Sequence, residues 1–192
     1  MVLLKGTTIK SNDDQASLSS FLNYRSDGGG LYIEQTAKVV IQDSSFENLK
    51  GRYGGAIYIY QDRLTTTSLT KGLGFTTLRV YLLEDVKFTN CFSEFDGGAI
   101  YAKNPLRMTI KDATFTGNVA KRNGGAIDYV CEPSEKEFSV DPDSPCDFEM
   151  ENIDFNDNEA IVGGAIKWNL MEMKVPGNPE LVKIEKVVKT EI

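Results

Sequence analysis

The tetrapeptide Gly-Gly-Ala-Ile occurs four times, at Gly54–Ile57, Gly97–Ile100, Gly124–Ile127 and Gly163–Ile166, after a degenerate copy, Gly28-Gly29-Gly30-Leu31. Successive copies start 26, 43, 27 and 39 residues apart. The short intervals set a basic turn of about 26–27 residues, and the long ones are one such turn plus an insertion. Self-similarity at a fixed period marks a repeat architecture, in which each unit buries its apolar face against the next. The insertions fall at about 61–75, rich in Thr, Ser and Gly, and about 131–146, rich in Pro, Asp, Glu and Ser.

A Phe and an Asn precede each full copy: Phe46/Asn48, Phe88/Asn90, Phe115/Asn118 and Phe155/Asn158. Upstream of each Phe, the residues seven, five and two places back are Val39, Ile41, Ser44; Tyr81, Leu83, Val86; Met108, Ile110, Ala113; and Phe148, Met150, Ile153. A spacing of two is strand alternation. The phase shifts at Asp43, Asp85, Asp112 or Asn152, which marks a bend, because Asx side chains satisfy turn backbone locally. After each Gly pair, Leu31, Ile57, Ile100, Ile127 and Ile166 hold an inward place. Ile33, Ile59, Ala102, Tyr129 and Trp168 hold the next inward place. The residues between them, Tyr32, Tyr58, Tyr101, Asp128 and Lys167, point out.

Three short strands and three bends therefore fill each turn. The expected fold is all-β, a single right-handed parallel β-helix (solenoid) over 1–192, with the hand set by the rule for parallel crossovers. Equivalent residues pile into ladders of Ile57, Ile100, Ile127 and Ile166, of Phe46, Phe88, Phe115 and Phe155, and of Asn48, Asn90, Asn118 and Asn158. The corners are Gly28-Gly29, Gly54-Gly55, Gly97-Gly98, Gly124-Gly125 and Gly163-Gly164. There glycine supplies positive φ or close backbone approach, and a small third residue closes the bend.

The chain carries 21 Lys and Arg against 28 Asp and Glu, a net charge of −7. Its cations are scattered, unlike the basic footprint of a nucleic-acid binder. No apolar run approaches the roughly 18 residues of a membrane span, and Met1-Val2-Leu3-Leu4 gives way at once to polar residues, unlike a signal peptide. Strand-like segments at both ends read as an internal piece of a longer protein. Histidine is absent, which removes the commonest general base and metal ligand. No metal site and no cofactor are expected.

The ordered pairing of Gly-Gly-Ala-Ile with Phe-x-x-Asn, complete at Phe115–Asn118 and Phe155–Asn158, resembles the polymorphic outer membrane protein repeats of chlamydiae. Phe46-Glu47-Asn48 and Phe88-Thr89-Asn90 are one residue short. The likeness covers about residues 28 to 168 and extends to repeat regions of large surface proteins of ciliates and other protists. It implies a β-helical, pectin-lyase-like passenger exposed at a cell surface, adhesive or structural. It implies no catalytic residue.

Cys131 and Cys146 bracket the second insertion, where a disulfide would anchor the loop in an oxidising compartment; the alternative is a pair of free thiols. Cys91 reads as a small buried residue. Tyr32, Tyr58 and Tyr101 form an outward strip that could meet a sugar or a partner, although Tyr is also simply a good exposed strand residue. Asp43, Asp85 and Asp112 recur at one place in each repeat, which is the mark of structure, since catalysis needs one site. Asp141, Asp143, Asp147 and Glu149 do not match the spacing of a calcium loop. Asn-x-Ser/Thr is absent, so no N-linked glycan is expected.

The function expected is that of a non-enzymatic structural or adhesive rod at a cell surface or outside the cell. Its partner would be a protein, a polysaccharide or further chains stacked end to end, with no nucleic acid and no membrane insertion of this segment. The competing readings are a pectin-lyase-type polysaccharide lyase or hydrolase, with Asp128, Lys167 and Arg122 as scattered candidates, and a scaffold of an intracellular filament.

Overall fold

The computed structural model describes residues 1–11, 26–34, 36, 38–61, 80–105, 107–131, 147–170 and 182–189. The chain there is all β, in three parallel sheets that it visits in a fixed order. Sheet A holds β1 (Val2–Lys5), β2 (Thr8–Lys10), β4 (Lys38–Glu47), β7 (Val80–Thr89), β10 (Arg107–Thr116), β13 (Asp147–Asn156) and β15 (Val182–Lys189). Sheet C holds β5 (Lys50–Gly51), β8 (Phe92–Ser93) and β11 (Val119–Ala120). Sheet B holds β3 (Leu31–Glu34), β6 (Ile57–Tyr60), β9 (Ile100–Lys103), β12 (Ile127–Cys131) and β14 (Ile166–Leu170). A pass such as β4, β5, β6 runs A, C, B, and successive passes pair in parallel, with sheet C strands in the three middle passes.

The register brings equivalent residues together. Phe46 pairs with Phe88 and Phe88 with Phe115, as Phe115 does with Phe155. Ile57, Ile100, Ile127 and Ile166 follow one another across sheet B. The Phe rings stack at 5.0, 4.8 and 5.2 Å between centroids, an offset arrangement worth about 0.5–1.5 kcal/mol per pair beyond area burial. Val39, Ile41, Tyr81, Leu83, Met108, Ile110, Phe148 and Met150 fill the space between sheets A and B, all buried. Tyr129 fits there by stacking on Phe148 at 4.5 Å and donating its hydroxyl to Pro105 O at 3.3 Å.

Each bend has its own backbone signature. The mid-strand kink of sheet A sits at Asp43, Asp85, Asp112 and Asn152, all left-handed with φ of 49°, 53°, 49° and 53°. Asx residues tolerate that region best among non-glycines. The phase shift read from the sequence is this kink.

The second bend corrects the expected Asn ladder. Asn48 and Asn90 are themselves left-handed, at φ 56° and 51°, and Gly117 and Asp157 take the same place in the later passes. The backbone bonds fix that alignment, since Asn90 N donates to Thr116 O and Gly117 N to Asn156 O. Asn118 and Asn158 lie one residue further on, level with Leu49 and Cys91. Only there do amides stack. Asn118 Nδ2 donates to Asn158 Oδ1 at 2.9 Å and to Phe88 O at 3.1 Å, while its Oδ1 accepts from Cys91 N at 3.0 Å. The four asparagines thus serve two jobs, a left-handed backbone and a buried amide.

The two glycines of each corner also divide the work. The first is left-handed, with φ of 71°, 61°, 68°, 61° and 68° at Gly28, Gly54, Gly97, Gly124 and Gly163. The second lies against the neighbouring pass. A Cβ on Gly55, Gly98 or Gly125 would sit 2.1, 1.9 or 1.8 Å from the carbonyl oxygen of the next second glycine.

Trp168 departs from its expected inward place and is 47% exposed. It lies on β14, the outermost strand of sheet B, with no described strand beyond it to pack against. The connections at 61–79 and 132–146 both link the end of a sheet B strand to the start of a sheet A strand. Both insertions therefore leave at the same corner; apart from Gln61 and Cys131, both lie outside the described residues.

Candidate functional site

The outward positions of sheet B and the corner that feeds it hold the densest collection of polar and aromatic side chains outside the core. Tyr32, Tyr58 and Tyr101 are in register on β3, β6 and β9. Their rings stack at 5.0 and 5.5 Å, 15° and 11° from parallel. Stacking along the pass-to-pass direction consumes the ring faces, so the strip offers edges and hydroxyls. Tyr32, on the outermost strand, is 54% exposed. Burial pushes the Tyr58 hydroxyl up to about 12 and that of Tyr101 higher still.

The corner adds residues that the repeat pattern did not flag. Tyr53 packs against Phe95 at 5.0 Å and Tyr101 at 5.1 Å. Phe95 in turn lies between two guanidinium groups, with Arg52 Cζ 5.7 Å and Arg122 Cζ 4.6 Å from its centroid. Asp96 fixes Arg122 through two bonds, Nη2 to Oδ2 at 2.6 Å and Nε to Oδ1 at 3.2 Å. Asn123 Nδ2 donates to the same carboxylate at 2.8 Å. Lys121 Nζ stands 5.9 Å from the Phe92 centroid. These residues escaped the sequence pattern because the corner varies in length. Leu49 to Gly54 is one residue shorter than Cys91 to Gly97, so its side chains do not recur at a fixed offset. The usable signal was compositional, an Arg or an aromatic just before the Gly pairs at 54, 97 and 124.

Asp128 continues the Tyr register and was expected to point out into solvent. It is 1% exposed instead. Tyr101 pairs with it on one side and Lys167 on the other. Lys167 Nζ is 3.4 Å from its Oδ1, an ion pair that leaves this oxygen without a hydrogen bond. Burial pushes the carboxyl up to about 6 against the pull of Lys167. Asp128, Lys167 and Arg122, scattered in the sequence, thus lie on one face. Their charges are spent locally, since Arg122 is held by Asp96 and Lys167 by Asp128.

Cys91 is a buried free thiol, pushed up to about 12 by burial. Cys131 is buried at the end of β12, whereas Cys146, Asp141 and Asp143 lie outside the described residues. Asp85 and Asp112 sit at bends of sheet A, away from this face, and Glu149 accepts from Thr109 on the outer side of that sheet at 3.5 Å.

No curated protein and no solved structure is significantly similar to the chain. Residues 112–128 match the family model of the Chlamydia polymorphic membrane protein repeat. In the fold, that stretch runs from the left-handed Asp112 through Phe115, Asn118 and the Gly124-Gly125 corner to Asp128. It holds the sheet A kink and the bends from sheet A to C and from C to B, and in it this chain is similar to a repeat of chlamydial membrane proteins.

Proposed function

We propose that the chain is a right-handed parallel β-helical module of a cell-surface or extracellular protein. It acts as a non-enzymatic rod that meets a protein or polysaccharide partner through the outer face of sheet B. The observation that carries this reading is how the recurring polar residues are used. Asp43, Asp85 and Asp112 shape backbone, Asp96 and Asp128 beside Tyr101 are each committed to a cation, and Glu34 accepts the Tyr32 hydroxyl at 3.2 Å. A lyase or hydrolase needs an acid or base free to exchange a proton with substrate. The likeness to a membrane-protein repeat supports a surface location.

Incubation of the purified chain with polygalacturonate and other plant and bacterial polysaccharides should yield no new reducing ends and no unsaturated product. Turnover of any of them would replace this reading with the lyase or hydrolase one. The surface location carries a covalent corollary, a Cys131–Cys146 bridge across the second insertion. Thiol alkylation of the unreduced, denatured protein, read by mass spectrometry, should label Cys91 alone. Labelling of all three cysteines would favour the intracellular filament.

A further inference from the structure

The corner between sheets C and B has a charge balance unlike the rest of the chain. Residues 49–54, 91–96 and 118–123 carry Lys50, Arg52, Lys121 and Arg122 against Glu94 and Asp96, whereas the whole chain is at −7. The three passes bring these segments together, with β5 paired to β8 and β8 to β11. Three of the four cations stand over aromatic rings, Lys121 over Phe92 and Arg52 and Arg122 over Phe95. Such placement fixes a cation in advance of any ligand. Arg122 is further held by Asp96 and still leaves its side chain 49% exposed. Arg52 has no carboxylate partner among the described residues.

We infer that this corner, with the adjoining Tyr hydroxyls, is a binding site for an anionic glycan, a polymer bearing uronate or sulfate groups. The inference rests on the binding role proposed above and names its ligand class. Guanidinium groups match carboxylate and sulfate oxygens in a planar, two-pronged way. Passes recur at about 4.8 Å, so Lys50 and Arg52 stand two passes, about 10 Å, from Lys121 and Arg122, on either side of the pass that carries Glu94 and Asp96. Nucleic acid fits less well. Single strands are held by bases stacking on open aromatic faces, and here the faces of Tyr58 and Phe95 are covered by neighbouring rings and guanidinium groups. The hydroxyls that remain suit the hydroxyl-rich body of a sugar.

The test measures binding of the whole chain to heparin, polygalacturonate, neutral dextran, a single-stranded oligonucleotide and poly-glutamate at low and high salt. At least one anionic glycan should bind, weakening at high salt, and dextran should not. Arg52→Gln combined with Lys121→Gln, which spares the Arg122–Asp96 pair, should weaken that binding at least tenfold with the melting temperature unchanged. Arg52→Gln alone serves if the double variant does not fold, with a severalfold loss expected. Binding of neither anionic glycan overturns the proposal, as does glycan binding that the variants leave intact or tighter binding of the oligonucleotide or poly-glutamate. Glycan binding indifferent to these variants removes this site and leaves the partner-binding role standing. Glycan turnover removes the non-enzymatic reading itself.

Discussion

Among the described residues, eight non-glycines hold positive φ, and every one is Asp or Asn. The bends demand a left-handed backbone, and short Asx side chains supply it at the least cost after glycine. Asp85, at φ 53°, tests the point. Asp85→Gly should leave stability close to wild type, while Asp85→Val should lose about 1–2 kcal/mol, read by urea denaturation. Equal losses would mean that the carboxylate matters and the backbone does not. A second contrast separates the two kinds of asparagine. Asn118→Ala strands Cys91 N and Phe88 O inside the stack and should cost about 1–3 kcal/mol for each group left unpaired. Asn48→Gly keeps the left-handed backbone and should cost little. Similar destabilisation by both would place all four asparagines back in one ladder.

At the scale of the element, the corner is defined by what lies beside it. Gly125 and Gly164 hold the same place in the motif. A Cβ at Gly125 would meet Gly164 O at 1.8 Å, whereas the nearest described atom to one at Gly164 is Asn158 O at 3.4 Å. Gly125→Ala must push two passes apart and should cost about 3 kcal/mol or more. Gly164→Ala should change the urea midpoint hardly at all. Loss of stability in both would show that the glycine pair is needed for its own conformation and not for stacking. This dependence on neighbours also limits what the sequence discloses. Period, strand phase and corners were legible, because a left-handed or close-packed backbone leaves few residue choices. The Asn register was not, since Phe-x-Asn and Phe-x-x-Asn differ by one residue and look like one motif with a deletion. Nor was the fate of Asp128, whose burial depends on what flanks it in the stack. The Arg52–Phe95–Arg122 sandwich was hidden for a further reason: it joins residues from three passes whose corners differ in length.

For the whole molecule, pH is the broadest probe. Asp128 is pushed up to about 6 from an ordinary 3.8, so the fold binds this proton more tightly than the unfolded chain does. Its contribution is fully present below pH 3.8 and is lost as pH rises through 6. Asp128→Asn should therefore gain up to about 3 kcal/mol at neutral pH and flatten that part of the profile. A variant no more stable than wild type at neutral pH would mean that Lys167 fully compensates the buried charge. Tyr58 and Cys91 are pushed up to about 12 from 10.0 and 9.0. Their contributions are lost as pH rises beyond those ordinary values, because the unfolded chain ionises first.

The corners carry one more consequence. In the motif copies at 28, 54, 97 and 124 the amides donate the same way. Gly97 N, Gly98 N, Ala99 N and Ile100 N reach Asn123 O, Gly124 O and Ala126 O, and Gly124 N to Ile127 N reach Val162 O, Gly163 O and Ala165 O. Four peptide dipoles per pass are thereby aligned in one column, as they are along an α-helix. Within this column the N–H groups aim at later passes, whereas sheet C bonds such as Phe92 N to Leu49 O and Arg122 N to Phe95 O run the opposite way. The two sets of dipoles therefore oppose one another across each pass, and the polarity belongs to the motif column alone.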